Sequence, residues 1–218
     1  MNIVIRNERK EDFEEVENLI RKSFYNLYIP GCFEHYLAHT IRSHEDFVHE
    51  LDFVMELDGK IIGNIMYTKT KLVNEEGKIK NILTFGPVCI SPEYQRKGYG
   101  KKLLEHSFEK ARELGYEAIV IFGAPANYVG VGFKSCKKYN VSLENDIFPT
   151  AMMIKELKEK SLDGKKWTYY QSSAFEINEK EAEKFDENFG KSGKFEKLEK
   201  KYLPCQEEFY ILSNSKIG

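Results

Sequence analysis

The stretch Pro87-Val88-Cys89-Ile90-Ser91-Pro92-Glu93-Tyr94-Gln95-Arg96-Lys97-Gly98-Tyr99-Gly100-Lys101 decides how this chain folds. It opens as the end of an apolar run, residues 79–90, that reads as a strand. It then passes through a Ser-Pro pair and a basic, glycine-containing turn into a different period. Beyond Gly100, the residues Leu103, Leu104, Phe108, Ala111 and Leu114 share one helical face, and Gly115 stands where a helix would end. Residues 118–122, Ala-Ile-Val-Ile-Phe, form a short apolar run of the kind that makes a buried strand. The spacing predicts a strand, loop, helix and second strand, with the two strands parallel and the crossover right-handed.

The loop inside that unit has a definite chemistry. The first amides of a helix have no intrahelical acceptor, and they point outward at the positive end of the helix dipole. Gly98 and Gly100 leave room for a ligand to approach, while Arg96, Lys97 and Lys101 surround it with positive charge. A pyrophosphate fits such a site. A plain β–α turn with exposed basic side chains is the competing reading. Two nucleotide readings fail on the residues present. No Gly-x4-Gly-Lys-Ser/Thr string occurs, and a dinucleotide fingerprint needs glycine at position 103, which is Leu103.

Outward from the loop, residues 52–57 and 60–67 read as two strands joined by Asp58-Gly59, a strong hairpin signal. A turn at residues 74–77 leads into the strand at 79–90, which makes three successive antiparallel strands. Residues 2–6 read as a first strand, 11–24 as an amphipathic helix and 35–42 as a second short helix, with an aromatic loop at 25–33 between the helices. Downstream, residues 125–131 form a short helical piece. Residues 151–154 and 167–170 are further strands, and Asn178 caps a helix over 179–189. The expected fold is α/β, a mixed, mostly antiparallel sheet with helices on both faces and a C-terminal extension. Residues 1–155 form the core, and residues 156–218 an extension packed on it rather than an independent domain.

Composition narrows the partners. With 33 Lys and Arg against 35 Asp and Glu, the net charge is −2, so neither nucleic acid nor an anionic membrane is favoured. No apolar run approaches the roughly 20 residues that cross a bilayer. The N-terminus becomes charged too soon for a signal peptide. The four cysteines, Cys32, Cys89, Cys136 and Cys205, are far apart and form no Cys-x-x-Cys pair. This suits a reduced, cytoplasmic setting.

The string Gln95-Arg96-Lys97-Gly98-Tyr99-Gly100, with its preceding strand and Ser-Pro and its following helix and strand, resembles the acetyl-CoA loop of the GNAT superfamily of N-acetyltransferases. The resemblance runs from residue 1 to Phe133 and is most specific from Gly86. It implies that Val88, Cys89 and Ile90 offer backbone groups to the pantetheine arm. It also implies that the segment Gln95, Arg96, Lys97, Gly98, Tyr99, Gly100 and Lys101 holds the pyrophosphate. The cosubstrate is then acetyl-CoA, with no metal. Tyr128, four residues before Gly132-Phe133, matches the tyrosine that protonates the departing thiolate in such enzymes. An ordinary packed aromatic is the alternative for Tyr128, and Gly130 and Val131 depart from the bulkier or basic residues usual in the family. The implied reaction is direct acetyl transfer from acetyl-CoA to a primary amine, with a backbone N–H near residues 88–90 stabilising the oxyanion. The acceptor is a small-molecule amine or a peptide amine. A non-catalytic acyl-CoA sensor, or a transferase of a different acyl group, would share the same donor site.

Other constellations leave their alternatives open. Glu34, His35, His39 and Glu93, the last acting through water, are candidates for the general base, as is no single residue. Cys89 reads as core packing rather than as an acyl-carrying nucleophile, since no histidine lies near it in sequence. His35 and His39 have the spacing of a metal pair on one helix face, and His44 and His49 are one residue too far apart for a His-Glu-x-x-His site. All four read as surface or helix-interior histidines. The aromatic residues Phe24, Tyr25, Tyr28 and Phe33 either wall an acceptor cleft or cover the core. Residues 194–201 alternate charge as a solvated face, and the last residues pair with a second subunit or fold back over the cleft.

Overall fold

Asp58 and Gly59 both take positive φ, 51° and 83°, as a tight hairpin of the right twist demands. That turn organises the first half of the computed structural model, which describes residues 1–189. The elements are β1 (Ile3–Asn7), α1 (Phe13–Phe24), α2 (Glu34–Ile41), β2 (Phe53–Leu57), β3 (Lys60–Asn74), β4 (Ile79–Ile90) and α3 (Tyr99–Glu113). They continue with β5 (Ala118–Phe122), α4 (Pro125–Tyr128), β6 (Lys134–Ser135), β7 (Val141–Ser142), β8 (Met152–Glu156), β9 (Trp167–Tyr170) and α5 (Glu179–Glu187). Two compact units result. Among the described residues, one holds Met1–Tyr67, Gly86–His106 and the stretch 173–189; the other holds Thr68–Phe85 and Ser107–Ser172. The long strands β3 and β4 contribute residues to both.

In the first unit β1 pairs antiparallel with β2, and β2 with β3, with a register shift between Met55 and Glu56. Neighbouring residues of β2 point to opposite faces. Val54 joins the apolar cluster of Val16, Leu19 and Ile20 from α1 and Leu37, Ala38 and Ile41 from α2. The Phe53 ring meets His106 of α3, centroids 4.9 Å apart. Helices therefore cover both faces, which is why β2 and residues 61–67 of β3 are almost continuously buried instead of alternating.

In the second unit β4 runs parallel to β5 at Leu83 and Ile119, as the strand-helix-strand pattern predicts. Strand β8 pairs antiparallel with both β5 and β6, while β9 pairs antiparallel with the end of β3 and parallel with β7. The core here is Leu72, Ile82, Ala118, Val120, Met152, Ile154 and the fully buried Trp167, whose indole N–H donates to Leu162 O at 3.0 Å. α3 ends as its sequence requires. Gly115 has φ 87°, Tyr116 N–H bonds to Ala111 O at 3.1 Å, and Gly115 N–H bonds to Arg112 O at 2.9 Å. That is a Schellman cap.

Three differences from the sequence reading have physical causes. β3 runs on to Asn74, because Thr70, Leu72 and Asn74 are buried while Lys69 and Lys71 face water, a two-residue period hidden by its polar members. The two-residue strands β6 and β7 are too short to carry any period. His44 lies past the end of α2, and His49 opens a separate 3-10 turn, so the two share no helix. The expectations for residues 194–201 and for the chain end fall outside the described residues.

Candidate active site

The segment that the sequence resemblance singles out, residues 87–101, lies within the first unit. Ser91 N–H donates to Ile62 O at 2.7 Å, which holds the end of β4 against β3. Gly63 makes that approach possible. A Cβ there would stand 2.5 Å from Ile90 Cδ1, so that side chain would have to move, and 3.1 Å from Cys89 O, a tight contact with backbone. Pro92–Tyr94 forms one 3-10 turn, and Gln95 leaves it in an extended conformation, φ −64° and ψ 159°. Arg96 (φ 58°) and Gly98 (φ 86°) are then both left-handed, and α3 begins at Tyr99. Lys102 N–H donates to Gly98 O at 3.2 Å, so the amides of residues 99–101 precede the helical ladder. Two left-handed residues ahead of a 15-residue helix form a concave row of N–H groups at its positive end. No atom outside the local chain lies within 4 Å of a Cβ placed on Gly98, so the space above the loop is open there.

The side chains of this segment divide the work. Gln95 turns inward and its Nε2 donates to Ile90 O at 2.9 Å, fixing the loop to the strand. Lys97 Nζ donates to Glu93 O at 2.9 Å and lies over the Tyr94 ring. Lys101 pairs with Glu105 one helical turn on, at 3.7 Å. The structure thus makes Gln95 and Lys97 braces for the loop. Val88 is half-buried, whereas Cys89 and Ile90 are buried. The Cys89 thiol is pushed up to about 12 by burial. Burial favours the neutral thiol, in keeping with a packing role for Cys89.

Tyr128 ends α4 in the second unit. Its ring is half-buried, with centroids 5.8 Å from those of Phe85 and Phe133. Gly123 lets the ring lie where it does, since a Cβ there would come within 2.5 Å of Tyr128 Cε2. The left-handed Gly132, φ 93°, turns the chain after it, and Phe133 N–H bonds to Tyr128 O at 3.2 Å. Phe85, which Tyr128 touches, directly precedes Gly86 in β4.

Each residue named as a base is already engaged. The Glu34 carboxylate accepts from Phe33 N–H at 3.1 Å and from the Cys32 thiol at 3.3 Å, and burial raises its pKa. His35 is fully buried, with Nε2 3.1 Å from Asp186 Oδ1. His39 Nδ1 is 3.1 Å from Glu17 Oε1, and its ring lies against Phe185. Glu93 is tied to Lys22 and to the Ser91 hydroxyl, contacts that bring its carboxyl down to about 2. Among the described residues there is no cluster of three or more His, Cys, Asp and Glu side chains suited to a metal ion.

No spacing or composition signal marks the corner formed by α1, α2 and α5. Asp186 of α5 takes two bonds from Arg21, Nε to Oδ1 at 2.5 Å and Nη2 to Oδ2 at 3.2 Å. Burial works against ionisation of Asp186, but His35 and Arg21 outweigh it and hold the carboxyl at about 2. Phe185 and Phe189 close over the His35 ring. Upstream of α5, Phe175 reaches Gly86 of β4.

The profile of the acetyltransferase (GNAT) family matches residues 14–133. The chain belongs to this family. Among curated proteins it is similar to the uncharacterized N-acetyltransferase YhbS of Escherichia coli, with 25% identity over 163 residues, 74% of this chain and 92% of YhbS. The crystal structure of YhbS in complex with CoA superimposes with a TM-score of 0.69 at 21% identity, covering 81% of this chain and 93% of YhbS. A GNAT family acetyltransferase from Brucella melitensis, solved with acetyl-CoA, gives a TM-score of 0.62 at 21% identity over 80% of this chain and 98% of its own. The mixed, mostly antiparallel sheet flanked by helices is the GNAT fold. No helix among the described residues is long and apolar enough to cross a membrane.

Proposed function

We propose that this GNAT protein transfers an acetyl group from acetyl-CoA to a primary amine by direct attack on the thioester. The observation that carries the reading is the loop of residues 95–101, where two left-handed residues deliver a row of main-chain N–H groups to the start of a long helix. Such a row binds a pyrophosphate without help from any particular side chain. In the proposed reaction the amine nitrogen bonds to the carbonyl carbon, and the oxyanion forms near the backbone of residues 88–90. The carbon–sulfur bond then breaks, and the nitrogen gives up its proton. Tyr128 is assigned as the acid that protonates the thiolate. CoA complexes of related GNAT proteins support the donor class. Buried, unpaired Cys32, Cys89 and Cys136 suit a reduced cytoplasmic setting.

The test uses a panel of small amines and peptide amines with acetyl-CoA and follows thiol release. The wild type is expected to acetylate at least one amine. Replacing Tyr128 with Phe should lower kcat by about 10²- to 10⁴-fold, the usual contribution of a positioned acid, while CoA affinity stays unchanged. Equal rates for the two proteins would remove Tyr128 from the mechanism. Tight acetyl-CoA binding with no amine turned over would make the protein a sensor.

A further inference from the structure

We infer that Phe175, contributed by the chain between β9 and α5, closes the acyl end of the donor site and limits the acyl group to a short chain. This rests on the donor assignment above. It concerns a residue well beyond the region, residues 14–133, that matches the family profile.

The argument begins with direction. The pyrophosphate loop begins at Gln95, so a bound cofactor runs from the loop back along β4 toward lower residue numbers. From Ile90 to Gly86 a strand covers about 13 Å at ~3.3 Å per residue. An extended pantetheine arm is somewhat longer than that, so the thioester comes to lie near residues 86–88 and the acyl chain continues toward Gly86. What stands at Gly86 therefore meets the acyl chain.

Phe175 stands there. A Cβ built on Gly86 would lie 3.3 Å from Phe175 Cε1 and 4.0 Å from its Cζ, so the ring edge takes up the room that glycine leaves. The ring is half-buried and packs on the same cluster that holds Cys89. It is also held in place. Ser173 Oγ is 3.1 Å from His44 Nε2, and Glu176 N–H closes the turn onto Ser173 O at 2.9 Å. Ala174 is buried beside it. Asn178 then caps α5, accepting from the amides of Lys180 and Glu181. Farther along α5, Glu181 accepts from the Tyr36 hydroxyl at 2.7 Å, and Asp186 binds Arg21. An aromatic ring fixed at both flanks stops an acyl chain better than a loose one, because moving it means opening those contacts.

Calorimetric titration with CoA, acetyl-CoA, butyryl-CoA and hexanoyl-CoA needs no acceptor amine and tests this directly. The wild type is expected to bind CoA and acetyl-CoA within about threefold of each other and to lose at least tenfold in going to hexanoyl-CoA. Phe175→Ala should bring hexanoyl-CoA to within about threefold of acetyl-CoA with CoA affinity unchanged. Phe175→Leu, which keeps most of the packing, should give an intermediate ratio and serves if the alanine variant fails to fold. Gly86→Ala, which pushes the ring by a few tenths of an ångström, should change the acyl ratio and leave free CoA binding within threefold. Folded Phe175 variants that bind CoA yet keep the wild-type acyl ratio would overturn the inference and leave the donor assignment standing. A wild type that binds hexanoyl-CoA as well as acetyl-CoA would do the same. A wild type that binds no CoA at all overturns both.

Discussion

At the loop of residues 95–101, the proposed donor site, positive charge would be offered by main-chain amides, and the side chains of Gln95 and Lys97 are turned back to brace the loop. Around α1 and α2, positive charge is offered by side chains. Arg21 is clasped by Asp186. Arg42 binds Glu8 through Nε and Nη2 at 2.8 and 2.7 Å, and Glu17 through Nη1 at 2.6 Å. The first arrangement depends on backbone angles and forgives most substitutions apart from those at its glycines. The second depends on chemical partners in a dry setting, where removing one partner strands the other. One region therefore breaks through conformation and the other through composition.

The largest effect is expected at the loop. Changing Gly98 and Gly100 together to Val puts a β-branched residue at φ 86° and fills the open space above the turn. CoA affinity should fall by at least 100-fold, about 2.7 kcal/mol, in calorimetry. Wild-type affinity in a folded double variant would show that the amides are not the anion site. The next effect belongs to the other region. Asp186→Ala leaves Arg21 and the buried His35 without their carboxylate. Urea unfolding should show a loss of about 2–3 kcal/mol, below the full cost of a broken buried pair because Asp186 is partly exposed. CoA affinity should stay within about threefold. If affinity falls with stability, the two regions are not separable in the way described above.

The smallest effect is a pH dependence. Asp52 is buried and lies beside Glu8, and both burial and that neighbour raise its carboxyl well above the ordinary 3.8, while Arg42 and Asn64 oppose the shift. The native state therefore holds a proton that the unfolded chain gives up more readily. The resulting stabilisation is complete below about pH 3.8 and is lost as pH climbs through the higher native value. Asp52→Asn keeps an acceptor for Asn64 and supplies a permanent donor toward Glu8. The difference in Tm between wild type and variant should move in the variant's favour as pH rises. A difference that does not change with pH would mean that Asp52 is ionised in the fold.

The same contrast explains how much could be read from the residues alone. Asp58-Gly59, the strand at residues 79–90, the glycines of the donor loop, Gly115 and Asn178 each act on chain a few residues away, and each sits in the structure where its local chemistry requires. The loop of residues 95–101 is a local object, and its pattern survives in a bare string of residues. Nothing local marks Asp186 as the partner of Arg21, or Phe175 as the neighbour of Gly86, because those contacts are set by how separate elements pack. Glu34, His35, His39 and Glu93 have suitable chemistry for a base, yet the fold has given each a partner that no spacing rule reveals.

The three buried thiols offer a way to watch the molecule open. Cys32 and Cys89 belong to the first unit and Cys136 to the core of the second. In a chain with Cys205 changed to Ser, a thiol reagent can modify these residues only as fast as their surroundings unfold. Labelling followed residue by residue by mass spectrometry would then clock the opening of each unit separately. A cofactor seated along β4 would slow the clock at Cys89, turning a packing residue into a gauge of donor occupancy.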